Sequence, residues 1–380
     1  MNMAQQIKKT KISKGIYSPT EIKKWEKMKD ISKSKLFSPI KIGDWELKNR
    51  FVMAPMTRCF ADDQTGVVGE GVVEYYRLRA EKGVGLIITE GILVSPRGKG
   101  NPSVPGIYSD EQIVAWKKVT DAVHQEGGKI ICQLWHVGRL SHHELLGNLP
   151  PLAPSAIRAE GKVPRFRKPY DIPKEMNLEE IQELIQEFTQ AAKNAIKAGF
   201  DGVEIHGAHG YIIDQFNSDK TNHRTDKYGG NLKQRLTLFK EITKSVIDEI
   251  GNNRTLIRFS AHTGEHPSYM WDDPEKAIRT FLETFREVGA TMIHPSTLEF
   301  NRNVAEGKTM HQLVRKYWDG IIVGVGNLSP SLSAKAIEEG TIDLAAIGRP
   351  FIPNPDLIER LKSGEEIEEY EARKHLPILE

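Results

Sequence analysis

The segment from Gly202 to Tyr211 joins an apolar run to a dense group of titratable side chains, and it reads Gly-Val-Glu-Ile-His-Gly-Ala-His-Gly-Tyr. The run from Gly202 to Ile205 is short and partly β-branched, which is typical of a buried strand. His206 falls at the carboxyl end of that strand, and His209 and Tyr211 follow in a turn that the intervening glycines permit. Three proton donors or acceptors should therefore converge at one strand end, where they could bind and protonate a polar ligand.

Two other interpretations of His206 and His209 are open from the residues alone. Histidines three residues apart could bind a metal ion, but neutral imidazoles alone seldom hold zinc, and no Cys pair or carboxylate stands nearby at ligand spacing. The two side chains could also be structural histidines with hydrogen-bond partners at a turn. We favour a catalytic site and expect no metal.

Length and composition indicate a soluble enzyme. The chain has 380 residues, of which 39% are hydrophobic and 27% charged, and its net charge of +2 argues against nucleic acid as the main partner. Cys59 and Cys132 are too few for a disulfide scaffold, and no apolar run reaches the roughly 18 residues that a membrane span needs. We therefore expect a cytoplasmic protein that makes no membrane contact, and a homo-oligomer is compatible with the sequence.

Residues 1–35 differ from the rest because they are rich in lysine and poor in acidic residues. They lack the apolar segment and the cleavage pattern of a secretory signal. We interpret them as a partly helical, mobile extension that could steer anionic partners. The expected organisation is this extension followed by one catalytic domain over residues 36–380.

Short apolar runs alternate with helical patterns through the catalytic domain, which predicts an α/β fold, the TIM (β/α)8 barrel. The strand candidates are Phe51–Ala54, Leu86–Thr89, Ile130–Leu134, Gly202–Ile205, Leu256–Phe259, Met292–His294, Ile321–Val325 and Leu344–Ile347. The clearest helical patterns run from Leu178 to Ala198, with Asn177 and Glu180 as a capping box, and from Leu232 to Ile250.

Two further segments complete this architecture. An apolar and polar alternation around Gly43-Asp44 predicts an N-terminal hairpin that plugs one end of the barrel. Residues 139–175 follow the third strand, are rich in proline and have no helical period. So long an irregular segment inside a compact domain is usually functional, and we interpret it as a lid over the catalytic face. A disordered insert is the alternative, but several apolar residues could anchor the segment.

In a TIM barrel, catalytic residues lie at the carboxyl ends of the strands. A glycosidase would need two carboxylates there, and only Glu90 is well placed. The seventh and eighth strands end in Gly326-Asn327 and Gly348-Arg349, which offer backbone N–H groups and a guanidinium to a phosphate. Taken together, the polar residues at the strand ends could bind a flat, polar heterocycle that carries a phosphate.

Over about residues 36–361 the chain resembles the old yellow enzyme family of flavin mononucleotide (FMN) oxidoreductases. The resemblance is carried by Met53–Arg58, Gln133–Trp135, Gly202–Tyr211 with Asp214–Phe216, Asn222–Gly230 and Gly348–Phe351. It implies an FMN enzyme that takes hydride from NAD(P)H and reduces activated C=C bonds of α,β-unsaturated carbonyls, nitro compounds or quinones by a ping-pong mechanism. The absence of a full Gly-x-Gly-x-x-Gly fingerprint fits a nicotinamide donor that only visits the flavin.

The resemblance also implies roles for single residues. Thr57, Gln133 and Arg258 would contact the flavin's C4 carbonyl, its pyrimidine edge and its N1 region, where an always-charged guanidinium suits the reduced ring. The flavin ring and phosphate would further be lined by Pro55, Met56, Gly91, Gly326, Asn327, Gly348 and Arg349.

For the oxidant, the resemblance implies that His206 and His209 hold the carbonyl or nitro oxygen and that Tyr211 protonates the α-carbon. The substrate pocket would be shaped by Trp135, Phe300 and Phe351, although Trp135 suits a core position equally well. Two other function classes remain as alternatives, namely a flavin-binding carrier without efficient turnover and a metal-dependent barrel lyase.

Overall fold

The computed structural model describes residues 31–260 and 271–379. The predicted extension therefore lies outside the described residues, except for residues 31–35. The strands are β1 (Ile40–Ile42), β2 (Trp45–Leu47), β3 (Phe51–Met53), β4 (Leu86–Leu93), β5 (Ile130–Trp135), β6 (Leu152–Ala153), β7 (Lys174–Glu175), β8 (Gly202–Gly207), β9 (Thr255–Ser260), β10 (Met292–Ser296), β11 (Asn303–Ala305), β12 (Lys308–Thr309), β13 (Ile321–Gly324) and β14 (Leu344–Ile347).

The helices occupy most of the segments between these strands. They are α1 (Glu70–Glu81), α2 (Asp110–Gln125), α3 (Leu178–Lys197), α4 (Ile212–Asn217), α5 (Leu232–Arg235), α6 (Thr237–Ile250), α7 (Pro274–Glu287), α8 (Met310–Tyr317), α9 (Pro330–Glu338), α10 (Leu357–Ser363) and α11 (Ala372–His375). Short 3-10 turns cover Lys35–Phe37, Pro96–Gly98, His143–Leu145, Asn252–Arg254 and Arg349–Phe351.

The eight predicted strand runs form a closed parallel barrel in the order β3, β4, β5, β8, β9, β10, β13 and β14, so the predicted fold class is confirmed. The barrel closes where β14 pairs with β3, with Ile347 opposite Met53. Side chains alternate between two layers: Val52 and Ile88 point to the barrel interior, while Met53 and Ile87 pack beneath the helices. The carboxyl ends of all eight strands consequently meet at one face.

The hairpin of β1 and β2 closes the opposite end of the barrel. Trp45 and Ile42 belong to the same buried cluster as the interior side chains of the barrel. The indole N–H of Trp45 donates to the backbone carbonyl of Asp201 at 3.1 Å, just before β8 begins. A Cβ at Gly202 would lie 2.6 Å from the Trp45 ring, so only glycine allows the hairpin to seat this closely.

The outer helices start and stop largely where their sequence signals predict. In α3, Asn177 Oδ1 accepts from the Glu180 backbone N–H at 2.8 Å and Glu180 accepts from the Asn177 backbone N–H at 2.9 Å, which is the predicted capping box. The single helix predicted from Leu232 to Ile250 is instead two, because Leu236 at ψ −3° interrupts it between α5 and α6. No helix in the described ranges is long and apolar enough to cross a membrane.

Residues 139–175 follow β5, the third barrel strand, and are ordered by their own contacts. Strands β6 and β7 pair in parallel at the base of this insertion, and Leu152 is buried in the main core. Val163 and Tyr170 form a third buried cluster with Trp135 at the end of β5. The insertion therefore packs over the carboxyl face of the barrel, and its function as a lid stays a prediction.

Candidate active site

The predicted catalytic side chains converge at the carboxyl end of β8. His206 and His209 lie with ring centroids 5.2 Å apart and nearly perpendicular, and the Tyr211 ring lies 5.0 Å from His206. Trp135, from the end of β5, meets Tyr211 edge to face at 4.9 Å. These four aromatic side chains form one wall of the site.

The turn that carries these residues is held by two side chains of α4. His209 itself has φ +63° and Gly210 has φ +76°, so the backbone is left-handed at both positions. Asp214 Oδ2 accepts from the backbone N–H of Gly210 at 2.7 Å, and Gln215 Nε2 donates to the carbonyl of Gly210 at 2.7 Å. Asp214 and Gln215 belong to the block Asp214–Phe216, for which the sequence predicts no individual functions. The structure shows that both hold this turn in place.

The electrostatics of the site keep His206 neutral. Burial lowers the pKa of His206 well below its usual value, and the nearby charge of Arg258 adds to the decrease. A neutral imidazole carries one N–H donor and one acceptor nitrogen. Nδ1 of His206 is buried and has no hydrogen-bond partner among the described residues, so the ring retains bonding capacity for a ligand.

Ser296, at the end of β10, links the histidine side of the site to Arg258. Its hydroxyl lies 2.8 Å from His209 Nε2 and accepts from an Arg258 Nη2–H at 3.3 Å. His206 and Arg258 are register partners on adjacent strands, as are His294 and Arg258. Three neighbouring strands thus place cationic or N–H-bearing side chains in one layer of the barrel.

A buried carboxylate for which the sequence predicts no function lies one layer below. Glu204 is fully buried and accepts from Gln133 Nε2 at 2.7 Å. It also lies 2.5 Å from His294 Nδ1 and 4.0 Å from Arg258 Nη1. The signal that could have revealed it is a charged residue in the middle of the apolar run from Gly202 to Ile205.

The loop after β3 carries Pro55, Met56 and Thr57, which are all partly exposed. It is held from below by Glu90, whose Oε2 accepts from the backbone N–H groups of Arg58 at 3.0 Å and of the next residue at 2.9 Å. Burial raises the pKa of Glu90 to about 7, although these two N–H groups and Arg58 favour its ionised form. Glu90 therefore supports this loop rather than facing it as a catalytic acid.

Gly91 makes room for the pocket wall. A Cβ at this position would lie 2.5 Å from Trp135 Cε3, closer than side chains can approach. The structure thus provides a packing reason for glycine at this position, and a contact between Gly91 and a cofactor stays a prediction.

The predicted phosphate-binding residues follow two paired strands, because β13 and β14 are neighbours in the barrel. Gly326 at φ +133° and Asn327 at φ +50° turn the backbone sharply after β13. Gly348 follows β14, and a Cβ there would meet only ordinary contacts, the nearest at 3.4 Å from Met56 Sδ. Asn327 and Arg349 are exposed, so both can reach an anion at this edge.

The two predicted phenylalanines lie in different surroundings. Phe300 stacks on His311 with centroids 4.3 Å apart, and its backbone N–H donates to the carbonyl of Gly326 at 2.8 Å. Phe351 is fully buried in the main core. A substrate contact by Phe351 would require the side chain to move, and both assignments stay predictions.

One group of potential metal ligands occurs among the described residues; it lies in the insertion and includes neither His206 nor His209. Side chains of His142, His143 and Asp171 approach within 4.8 Å of one another. However, His143 Nδ1 lies 2.8 Å from Asp171, and His142 Nδ1 accepts from a backbone N–H at 3.3 Å. These hydrogen bonds account for the cluster as a link between the two ends of the insertion.

Comparison with known proteins gives one consistent picture. Residues 35–368 match the model of the NADH:flavin oxidoreductase / NADH oxidase family. The chain is 40% identical over 357 residues to 12-oxophytodienoate reductase 7 of Oryza sativa, with 88% of this chain and 89% of that protein covered. It is 39% identical over 359 residues to the flavin oxidoreductase hxnT of Emericella nidulans, covering 88% and 92%.

A solved structure supports the same comparison. The old yellow enzyme homologue from Zymomonas mobilis superimposes with a TM-score of 0.81 at 36% identity, over 88% of this chain and 94% of that one.

Proposed function

The chain belongs to the NADH:flavin oxidoreductase / NADH oxidase family, the old yellow enzyme family, and from this membership we propose how its residues divide the reaction among them. It is an FMN-dependent ene-reductase that uses NAD(P)H as hydride donor. Its substrates are small molecules with an activated C=C bond. Nitro compounds and quinones as further oxidants are part of the proposal.

The residues at the barrel mouth fit FMN. The backbone turn at Gly326 and Asn327 and the exposed Arg349 would hold the phosphate, while Gln133 and Arg258 would hold the pyrimidine edge. When bound there, FMN supplies hydride transfer between the donor and the oxidant. The remaining residues proposed to line it are Pro55, Met56, Thr57, Gly91 and Gly348.

His206 and His209 would bind the oxygen of the oxidant. The observation that carries this assignment is that the two rings lie 5.2 Å apart at one strand end, so that each could donate a ring N–H to the same acceptor. Because His206 is neutral, its N–H would stabilise an oxygen that gains negative charge without competing for a proton. The hydroxyl of Ser296 orients His209 from behind.

Tyr211 would supply the proton that the α-carbon receives. Its ring lies between Trp135 and His206, 4.9 Å and 5.0 Å away, so the phenol is held beside the oxygen-binding histidines. A phenol with an ordinary pKa of about 10 stays protonated at neutral pH and can act as a general acid.

The test uses ligand binding in place of turnover. A phenolate mimics the oxygen that the two histidines are proposed to hold, so His206→Ala and His209→Ala should each weaken phenol binding, by about 2.7–4 kcal/mol if the donors are preorganised. His124→Ala is the matched control, because His124 pairs with Asp201 outside the site. Phenol titrations should show unchanged affinity in the control. Equal loss of FMN retention and phenol binding in both site variants would instead favour a structural function.

Cytoplasmic location and assembly into a homo-oligomer are further parts of the proposal. The location is supported by Cys59 and Cys132, which are both free and buried and so fit a reducing compartment.

A further inference from the structure

Glu204 is a fully buried carboxylate in the centre of the barrel, and each of its neighbours comes from a different strand. Gln133 of β5 donates to it at 2.7 Å, His294 of β10 lies 2.5 Å away, and Arg258 of β9 lies 4.0 Å away. Its neighbours Gln133 and Arg258 are the two residues proposed to hold the pyrimidine edge of the flavin. Glu204 therefore contacts both of these side chains from within the barrel.

The charges in this group can be assigned. The guanidinium of Arg258 is always charged. Burial alone would raise the pKa of Glu204, but the hydrogen bond from His294, the charge of Arg258 and the hydrogen bond from Gln133 together leave that pKa below its usual value, so the carboxylate is ionised. Burial lowers the pKa of His294, although Glu204 opposes the decrease. With His294 neutral and donating from Nδ1, Glu204 carries the negative charge that lies 4.0 Å from the guanidinium of Arg258.

Glu204 also determines which end of the Gln133 amide faces the ligand. An ionised carboxylate only accepts hydrogen bonds, so the amide nitrogen of Gln133 must point toward it. The carbonyl oxygen of the same amide is then directed elsewhere and can accept from a ring N–H of a bound heterocycle. Loss of the carboxylate would remove the reason for this orientation.

We propose that Glu204 is a positioning residue that sets the reduction potential of the bound flavin by compensating the charge of Arg258 and by orienting Gln133. This inference rests on the proposed placement of the flavin. Reduction adds negative charge to the flavin, which Arg258 stabilises. The negative charge of Glu204 opposes that stabilisation, so the native potential is lower than Arg258 alone would give.

The test measures the midpoint potential by reductive titration against indicator dyes, together with FMN affinity by fluorescence. In Glu204→Gln, the potential should become more positive. In Glu204→Asp, the charge remains, so the potential should stay close to wild type, whereas FMN affinity should fall about tenfold because the shorter side chain withdraws from Gln133. Glu241→Gln is a control for loss of a carboxylate on an outer helix, where Glu241 pairs with Lys227, and it should change neither quantity.

Arg258→Met distinguishes a wrong placement of the flavin from a wrong inference on Glu204. It should lower the midpoint potential if the flavin lies as proposed. An unchanged potential in this variant would contradict the placement of the flavin beside Arg258. A normal response of Arg258→Met with an unchanged or more negative potential in Glu204→Gln would overturn only the inference on Glu204.

A further variant decides the matter if Glu204→Gln does not fold. His294→Gln retains an N–H donor toward Glu204. Because His294 is neutral, the variant loses no charge, and the midpoint potential of its bound flavin should equal that of wild type. A more negative potential in His294→Gln would mean that His294 is the charged partner, and this too would contradict the inference.

Discussion

The indole ring of Trp135 meets the phenol ring of Tyr211 edge to face, with centroids 4.9 Å apart and planes at 86°. Such a pair contributes about 0.5–1.5 kcal/mol beyond the area that it buries. The contact restrains the direction of the Tyr211 ring without using its hydroxyl group. The ring should therefore stay in place when the hydroxyl is removed, and Tyr211→Phe tests whether this hydroxyl donates the proton.

Tyr211→Phe should separate the two halves of the catalytic cycle. Flavin reduction by NAD(P)H delivers no proton to carbon, so its rate should stay close to wild type. Enone reduction should slow by roughly 10²–10⁴-fold, the usual contribution of a general acid, because the proton must come from solvent. Quinones are an internal control, since their protons go to exchangeable oxygens. Stopped-flow traces would decide it, and a wild-type enone rate in Tyr211→Phe would exclude Tyr211 as the acid.

The cofactor released on denaturation should be FMN alone. The proposed site offers one anion-binding edge at Gly326, Asn327 and Arg349, and Arg349→Ala should weaken FMN binding by about tenfold through loss of one charge-assisted contact. Arg279→Ala is a comparable change at an exposed arginine that pairs with Glu283 on α7. Chromatography of the released cofactor and fluorescence titration measure both quantities. Recovery of an adenine dinucleotide, or equal effects of the two arginine variants, would contradict the assignment.

Gly91→Ala adds only one methyl group but should both destabilise the protein and weaken phenol binding. The added methyl group would lie 2.5 Å from the Trp135 ring, so we expect about 1–3 kcal/mol of destabilisation from overpacking and weaker phenol binding as Trp135 shifts. Gly71→Ala in α1 adds the same group at an ordinary 3.6 Å from the nearest atom and should be neutral or stabilising. Urea denaturation and phenol titration of both variants measure the difference, and similar results would mean that Trp135 adjusts freely.

Glu90 should make stability fall as pH rises toward neutrality. Its folded pKa of about 7 lies above the 4.5 of an unperturbed glutamate, so the folded state holds a proton that the unfolded state loses in this range. The stabilisation is complete below the unfolded pKa and is lost as pH rises through about 7, with a total of about 3 kcal/mol.

Glu90→Gln should flatten this part of the stability profile, because the amide does not titrate. Urea denaturation at pH 5 and at pH 7.5 measures the slope, and Glu46→Gln is the control because Glu46 is exposed. A slope in Glu90→Gln equal to that of wild type would show that Glu90 is ionised throughout.

The barrel could be predicted because each strand is a short apolar run that ends at a turn, and this pattern depends on local residues alone. The break at Leu236 could not be predicted, because the local apolar pattern does not reveal it. The apolar period continues through it from Leu232 to Ile250, while only the backbone, at ψ −3°, leaves the helix. Interruptions of this kind are determined by packing against other elements.

The site divides in a similar way. His206, His209 and Tyr211 are close in sequence and share one turn, so their convergence follows from a strand and a short loop. Glu204 was missed because its partners come from three other strands, and only strand register brings Gln133 beside it. The surroundings of a side chain depend on contacts that are distant in the chain.

The pairing of β14 with β3 has a consequence for biosynthesis. Ile347 and Met53 are register partners that lie far apart in the sequence, so the seam cannot form until the ribosome has released β14. Until then, β3 presents an open edge with unpaired backbone groups, which invites association with other strands. Nascent chains of this enzyme should therefore be prone to aggregation until β14 has been synthesised.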